Sequence, residues 1–141
     1  MRIIGFNFKK VIVERKSDLK TKMEIKTHMD IKGVEKENLD IAGEILRVFF
    51  IYNIDYTPDH AALSFEGSVL LKPDKKQNIS KILKEWKSKK LPEDMRLLIF
   101  NFVMTKCNLK ALQLEEDFSL PPHIPLPRIS KSPEGKATYT G

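Results

Sequence analysis

Glu44-Ile45-Leu46-Arg47-Val48-Phe49-Phe50-Ile51-Tyr52-Asn53-Ile54-Asp55-Tyr56 is the stretch that decides the fold. Ile45, Phe49 and Ile51 share one parity, while Leu46, Val48, Phe50, Tyr52, Ile54 and Tyr56 share the other. A run this rich in β-branched and aromatic residues reads as a strand. A strand apolar on both faces belongs inside a sheet covered on both sides. The sequence therefore predicts a central strand over 44–56 with something packed on its second face.

Upstream, Met23, Ile25, Thr27, Met29 and Ile31 alternate with Glu24, Lys26, His28, Asp30 and Lys32, which is a strand with one wet face. Gly33 to Gly43 reads as a charged connection. Ile4, Phe6 and Phe8 alternate at the start. Lys9-Lys10 then interrupt, and Val11 and Val13 resume on the other parity. That phase change predicts one long strand over 2–15 with a bulge inside it. Ser17 to Thr21 is a polar turn. Downstream, Thr57-Pro58-Asp59-His60 is a turn signal. Leu63, Phe65, Val69 and Leu71 then form a fourth strand up to Pro73, in which Gly67 marks a bulge or a close backbone approach.

After Pro73 the period changes. Asn78 is a candidate N-cap, and Ile79, Ile82, Leu83 and Trp86 follow as one apolar stripe on a helix over 78–90 whose other face is lysine. Leu91-Pro92-Glu93-Asp94 starts a second helix over 93–117, with proline first and acids in the first turn. Met95, Leu98, Phe102, Val103 and Leu109 form its apolar side, widened by Ile99, Phe100, Met104, Cys107 and Leu114. Glu115-Glu116-Asp117 sit badly at its C-terminal end, so fraying or an early stop is expected there, with the three acids solvated. Strands first and helices after them imply an α+β fold: a four-stranded antiparallel sheet, a short amphipathic helix, then a long apolar helix.

Leu120-Pro121-Pro122-His123-Ile124-Pro125-Leu126-Pro127 follows, and its four prolines forbid helix and central strand. An extended segment cannot bury its apolar side chains by folding on itself. Phe118, Leu120, Ile124 and Leu126 are therefore candidate linings of a peptide-binding groove, the plainer reading being that they seal the domain's own core. Residues 1–129 read as one domain and 130–141 as a loose polar tail.

Composition narrows the function. The single cysteine, Cys107, excludes an intramolecular disulfide framework and a cysteine-based zinc site. No apolar run is long enough for a membrane helix, and the apolar start is cut short by Asn7 and Lys9-Lys10, too early for a signal peptide. A cytoplasmic location is expected, with no cofactor and no metal. His28, His60 and His123 fall in three separate segments, and no P-loop, GxSxG, HExxH or GxGxxG is present. The chain is not expected to be an enzyme.

The formal net charge is +6. Lys72, Lys75, Lys76, Lys81, Lys84, Lys87, Lys89 and Lys90 against Asp74 and Glu85 account for all of it. One reading is a patch for nucleic acid or an acidic protein, the other a solvated lysine face, since lysine without interleaved arginine is a weak nucleic-acid signal.

The order of parts resembles the SecB chaperones, over roughly residues 2–129. Leu91-Pro92-Glu93-Asp94-Met95-Arg96-Leu97 is similar to that family's Cys-Pro-Asn-x-Leu lead-in to its main helix. Ser119-Leu120-Pro121-Pro122-His123-Ile124-Pro125-Leu126 resembles its Thr-Phe-Pro-x-Leu-Asn-Leu-Ala-Pro stretch. The family's closing helix has no counterpart, the lysine helix is extra, and Lys26 and Lys32 break up the acidic sheet surface by which the export chaperone docks the SecA motor. What the resemblance implies is a fold and a holdase activity on non-native polypeptides in a homo-oligomer, a dimer or dimer of dimers, rather than an export pathway. Surplus apolar surface points the same way. The alternatives are a nucleic-acid or acidic-partner binder using the Lys72–Lys90 segment, with Lys75, Lys76, Lys81, Lys84, Lys87, Lys89 and Lys90 as its basic patch, and a structural subunit without a client.

Overall fold

The computed structural model describes residues 1–18, 22–75, 77–131 and 137–140. Four long strands, β1 (Arg2–Arg15), β2 (Glu24–Leu39), β3 (Gly43–Thr57) and β4 (Ala61–Lys72), pair antiparallel in the order β1-β4-β3-β2. The decisive stretch is one of the two inner strands. Two helices follow, α1 (Ile79–Trp86) and α2 (Glu93–Asp117), so the chain is α+β. Arg128–Lys131 (β5) pairs antiparallel with Ala137–Thr140 (β6). Residues 19–21 of the first turn, Lys76 of the basic segment, and 132–136 and 141 of the tail lie outside the described residues.

The core forms between one face of the sheet and the helices. Leu46, Val48, Phe50, Tyr52, Ile54 and Tyr56 of β3 are all buried, and Leu63, Phe65, Val69 and Leu71 of β4 lie beside them. Each such side chain withdrawn from water stabilises by about 1.5–3 kcal/mol before conformational entropy is set against it. Phe6 of β1 stacks on Phe50 at 5.5 Å and meets Phe102 of α2 edge-on at 5.7 Å, joining sheet to helix. Helix α2 buries Met95, Ile99, Val103, Cys107, Ala111 and Glu115, every fourth residue. Cys107 and Ala111 are small, so the helix lies close on the sheet along a narrow strip. Leu109, expected on the apolar side, is instead 61% exposed, and Met104 and Leu97 also face outward.

The bulge expected around Lys9-Lys10 is present as a register shift between Phe8 and Lys10, opposite Gly67. Gly67 is a close approach: a Cβ there would stand 2.3 Å from the carbonyl oxygen of Asn7. Two expectations need correction. Gly33–Gly43 is not a connection. β2 runs on to Leu39 after a second bulge between Ile31 and Gly33, which moves the buried parity to Val34. The strand then turns back at Asp40–Ala42. Its last residues are polar because this end of an outer strand has almost nothing to bury. The second face of β3 is covered only in part: Ile45 at one end of it is fully buried. Phe49 and Ile51 remain partly exposed there, Phe49 over Gly33, and a hydrogen-bonded chain from Glu37 through Arg47 and Ser68 to Asn7 crosses all four strands.

Both helices end alike. At α1, Lys89 N–H donates to Trp86 C=O at 2.7 Å and Lys90 N–H to Glu85 C=O at 3.3 Å. At α2, Ser119 N–H donates to Glu116 C=O at 3.1 Å and Leu120 N–H to Glu115 C=O at 2.7 Å. These are Schellman closures, whose left-handed residue is usually glycine. Here it is Lys89 (φ 60°) and Ser119 (φ 54°). The closure stops α1 at Trp86 rather than Lys90, and lets α2 keep its last turn to Asp117 without fraying. Asn78 caps α1 as expected, its side-chain oxygen accepting from Lys81 N–H.

Candidate functional site

The proline segment leaves α2 at Ser119 and is tied back to the sheet by buried polar side chains. Glu115, expected at a solvated end, is 1% exposed. Its carboxylate accepts from the His123 backbone N–H at 3.1 Å, and His123 Nδ1 lies 2.8 Å from Oε1. The Tyr56 hydroxyl faces two acceptors, Glu115 Oε2 at 3.0 Å and the Pro121 carbonyl. His123 Nε2 meets Asn108 Oδ1 at 2.7 Å, and that oxygen also accepts from the Tyr52 hydroxyl at 2.9 Å. Among the described residues no buried side-chain polar atom lacks a partner. Burial, with the Glu115 carboxylate adding to it, pushes the Tyr56 phenol well above its ordinary range, and burial pushes the Cys107 thiol up to about 12. The cluster, its Glu115 and His123 side chains shut away from solvent and its buried polar groups satisfied, is a clasp that ties the proline segment to helix and sheet.

The clasp sorts the four candidate groove residues. Leu120 is buried at 5% exposure and joins the core. Ile124 is half-buried. Phe118 and Leu126 are held facing out, at 40% and 47% exposure. Leu126, Pro122, Leu120 and Leu112 line a pocket of about 400 Å³ beside Glu116 at the end of α2. The pocket is built from a helix and a segment that cannot collapse onto it, because proline keeps the segment extended and Glu115 fixes its start.

The candidate basic residues do not form one cluster with these. Lys81, Lys84 and Lys87 lie on or at the end of α1 and are exposed, as are Lys75 before it and Lys89 and Lys90 after it. Behind them Ile82 is buried, and Ile79, Leu83 and Trp86 pack against the core as partly buried groups. A second pocket, also about 400 Å³, opens between the end of α1, the start of α2 and β2. Trp86, Leu91 and Phe100 form its apolar wall, with Lys89 and Arg96 at its edge. Sequence periodicity had no means of finding this pocket, since its walls come from three elements.

No protein-family model matches the chain, and no curated protein sequence does. The fold is that of the SecB-like chaperones. The Mycobacterium tuberculosis Rv1957 SecB-like chaperone, solved in complex with a ChAD peptide from the Rv1956 HigA1 antitoxin, superposes with a TM-score of 0.54. The match covers 93% of this chain and 91% of that one at 13% identity, so the likeness is one of fold. No helix among the described residues is long and apolar enough to cross a membrane.

Proposed function

We propose that this chain is a SecB-like holdase of the cytoplasm that binds non-native polypeptides, without catalysis, as a homo-oligomer. The observation that carries the reading is Leu126. A leucine nearly half exposed, held beside Leu112 and Pro122 by a buried clasp, is apolar surface maintained in solvent. The described chain does not cover it, and a client's apolar side chain would. The fold neighbour was solved with a peptide bound, which agrees with this use of the fold. Phe118, 40% exposed, is a second apolar side chain left outside the core where the segment begins.

Self-association follows from the rest of the exposed apolar surface. Ile4, Val11 and Ile12 on the outer strand β1, with Leu97, Met104 and Leu109 on the outward side of α2, offer faces that a second subunit would cover. Residues 1–129 act as one domain in this reading. The test is suppression of aggregation of an unrelated enzyme diluted from denaturant. The protein should suppress it at near-stoichiometric amounts, and Leu126→Ser should suppress it less while melting unchanged.

A further inference from the structure

The basic segment has no part in the Leu126 surface, yet it borders the second pocket. We infer that the Trp86 pocket is a separate anchoring site for an apolar residue flanked by acidic ones in a bound polypeptide. The inference rests on the polypeptide-binding reading and assigns the lysine segment its partner.

Three observations converge there. The wall is aromatic and aliphatic, Trp86, Phe100 and Leu91, and its volume of about 400 Å³ has room for one aromatic side chain with its backbone. The edge is cationic. Lys89 Nζ stands 4.7 Å from the centroid of the Trp86 ring, Arg96 is exposed, and Lys87 and Lys90 flank Lys89. The one carboxylate on the lining, Asp30, is already faced by Lys32 at 3.3 Å, so the cations of the opposite edge have none of their own among the lining residues. Lys89 closes α1 in a left-handed backbone conformation, and its exposed side chain carries the ammonium over the indole at the mouth of the pocket.

The occupant is a polypeptide rather than a nucleic acid because of β2. It ends the sheet, and no strand of the described residues pairs with its far side, which is the kind of edge an extended chain adds to. A base stacking on Trp86 would not use it. Apolar anchoring with carboxylates on either side satisfies wall, edge and strand together.

Trp86 is the only tryptophan, so its emission reports occupancy directly. The probes are an octapeptide with a central phenylalanine between aspartates and glutamates, the same peptide with lysines for the acids, and the acidic peptide with alanine for phenylalanine. The first should change the emission saturably, more weakly as salt rises, and the other two should not. Lys89→Glu with Arg96→Glu should weaken the first peptide roughly tenfold or more, while Leu126→Ser leaves it unchanged. Equal binding of the lysine peptide, no saturable change up to millimolar peptide, or tighter binding of oligothymidylate would overturn the inference. Aggregation suppression without any of these responses would leave the holdase reading standing and remove this site. A Trp86 response without suppression would do the reverse.

Discussion

His123 Nδ1 lies 2.8 Å from Glu115 Oε1, and both side chains are shut off from solvent. The two residues are eight apart in sequence, on opposite sides of a helix end, and their contact bends the proline segment back along α2. Fold and candidate site meet at this pair, because Leu120 goes into the core and Leu126 stays out of it as a consequence of where His123 is pinned.

His123→Ala should cost about 3 kcal/mol, since it removes the imidazole's contacts with the Glu115 carboxylate and with Asn108 Oδ1, roughly 1.5–3 kcal/mol for a hydrogen bond to a charged group and about 1 kcal/mol for a neutral one, while the Tyr56 and Tyr52 hydroxyls keep their acceptors. The same substitution should release the segment, so limited proteolysis near residues 121–127 should quicken even under conditions where the rest of the domain remains folded. Denaturant melts and digestion time courses check the two effects separately.

Leu120 and Leu126 should respond oppositely to the same chemical change. Leu120→Ser removes a core side chain and buries a hydroxyl, costing about 3 kcal/mol. Leu126→Ser should stay within about 0.5 kcal/mol of wild type, as exposed positions do. Similar losses at both positions would mean that Leu126 is sealed in the core after all.

How much of this the residues disclosed depends on how local the cause is. Pro92 with Glu93 and Asp94 set the start of α2, and the parity change after Phe8 marked the β1 bulge, because each is written in neighbouring residues. The end of β2 is hidden in the sequence because Glu35 to Asn38 are polar, and only pairing with Glu44 to Arg47 makes them a strand. Lys89 and Ser119 close helices from a conformation that sequence reading assigns to glycine. The burial of Glu115 is not legible from its place at a helix end, because its partners, Tyr56 and His123, lie in other segments and no spacing rule joins them.

Replacing those two closing residues by glycine should stabilise. A left-handed residue with a Cβ carries strain of about 1–2 kcal/mol, offset by the greater freedom of glycine in the unfolded chain. Ser119→Gly and Lys89→Gly should therefore each gain about 0.5–1 kcal/mol in a urea melt. Lys89→Gly should also weaken the acidic peptide at the Trp86 pocket, separating its two roles.

Stability should fall on the alkaline side. Tyr52, Tyr56 and Cys107 all have acidities weakened by burial in the folded state. The unfolded chain therefore releases their protons first, from its ordinary thiol value of 9.0 and phenol value of 10.0 upward. Their contribution is complete below pH 9 and is lost as pH rises through the folded-state values, beginning with the thiol. Tyr56→Phe should be less stable than wild type at pH 7 by about 1 kcal/mol, having lost a hydrogen bond, yet should decline less steeply above pH 10. Parallel slopes in urea melts at pH 7, 9 and 10.5 would contradict this.

The central claim is that Leu126 belongs to a surface kept open for unfolded chains. Its most direct test is the mass, by size-exclusion chromatography with light scattering, of the protein mixed with a permanently unfolded probe such as reduced, carboxymethylated lactalbumin. The account predicts a co-eluting complex for the wild-type oligomer and little or none for Leu126→Ser at unchanged melting temperature and oligomer mass. A wild-type protein that runs as a monomer and elutes apart from the probe, or a Leu126→Ser variant that binds it as well as wild type, would contradict it.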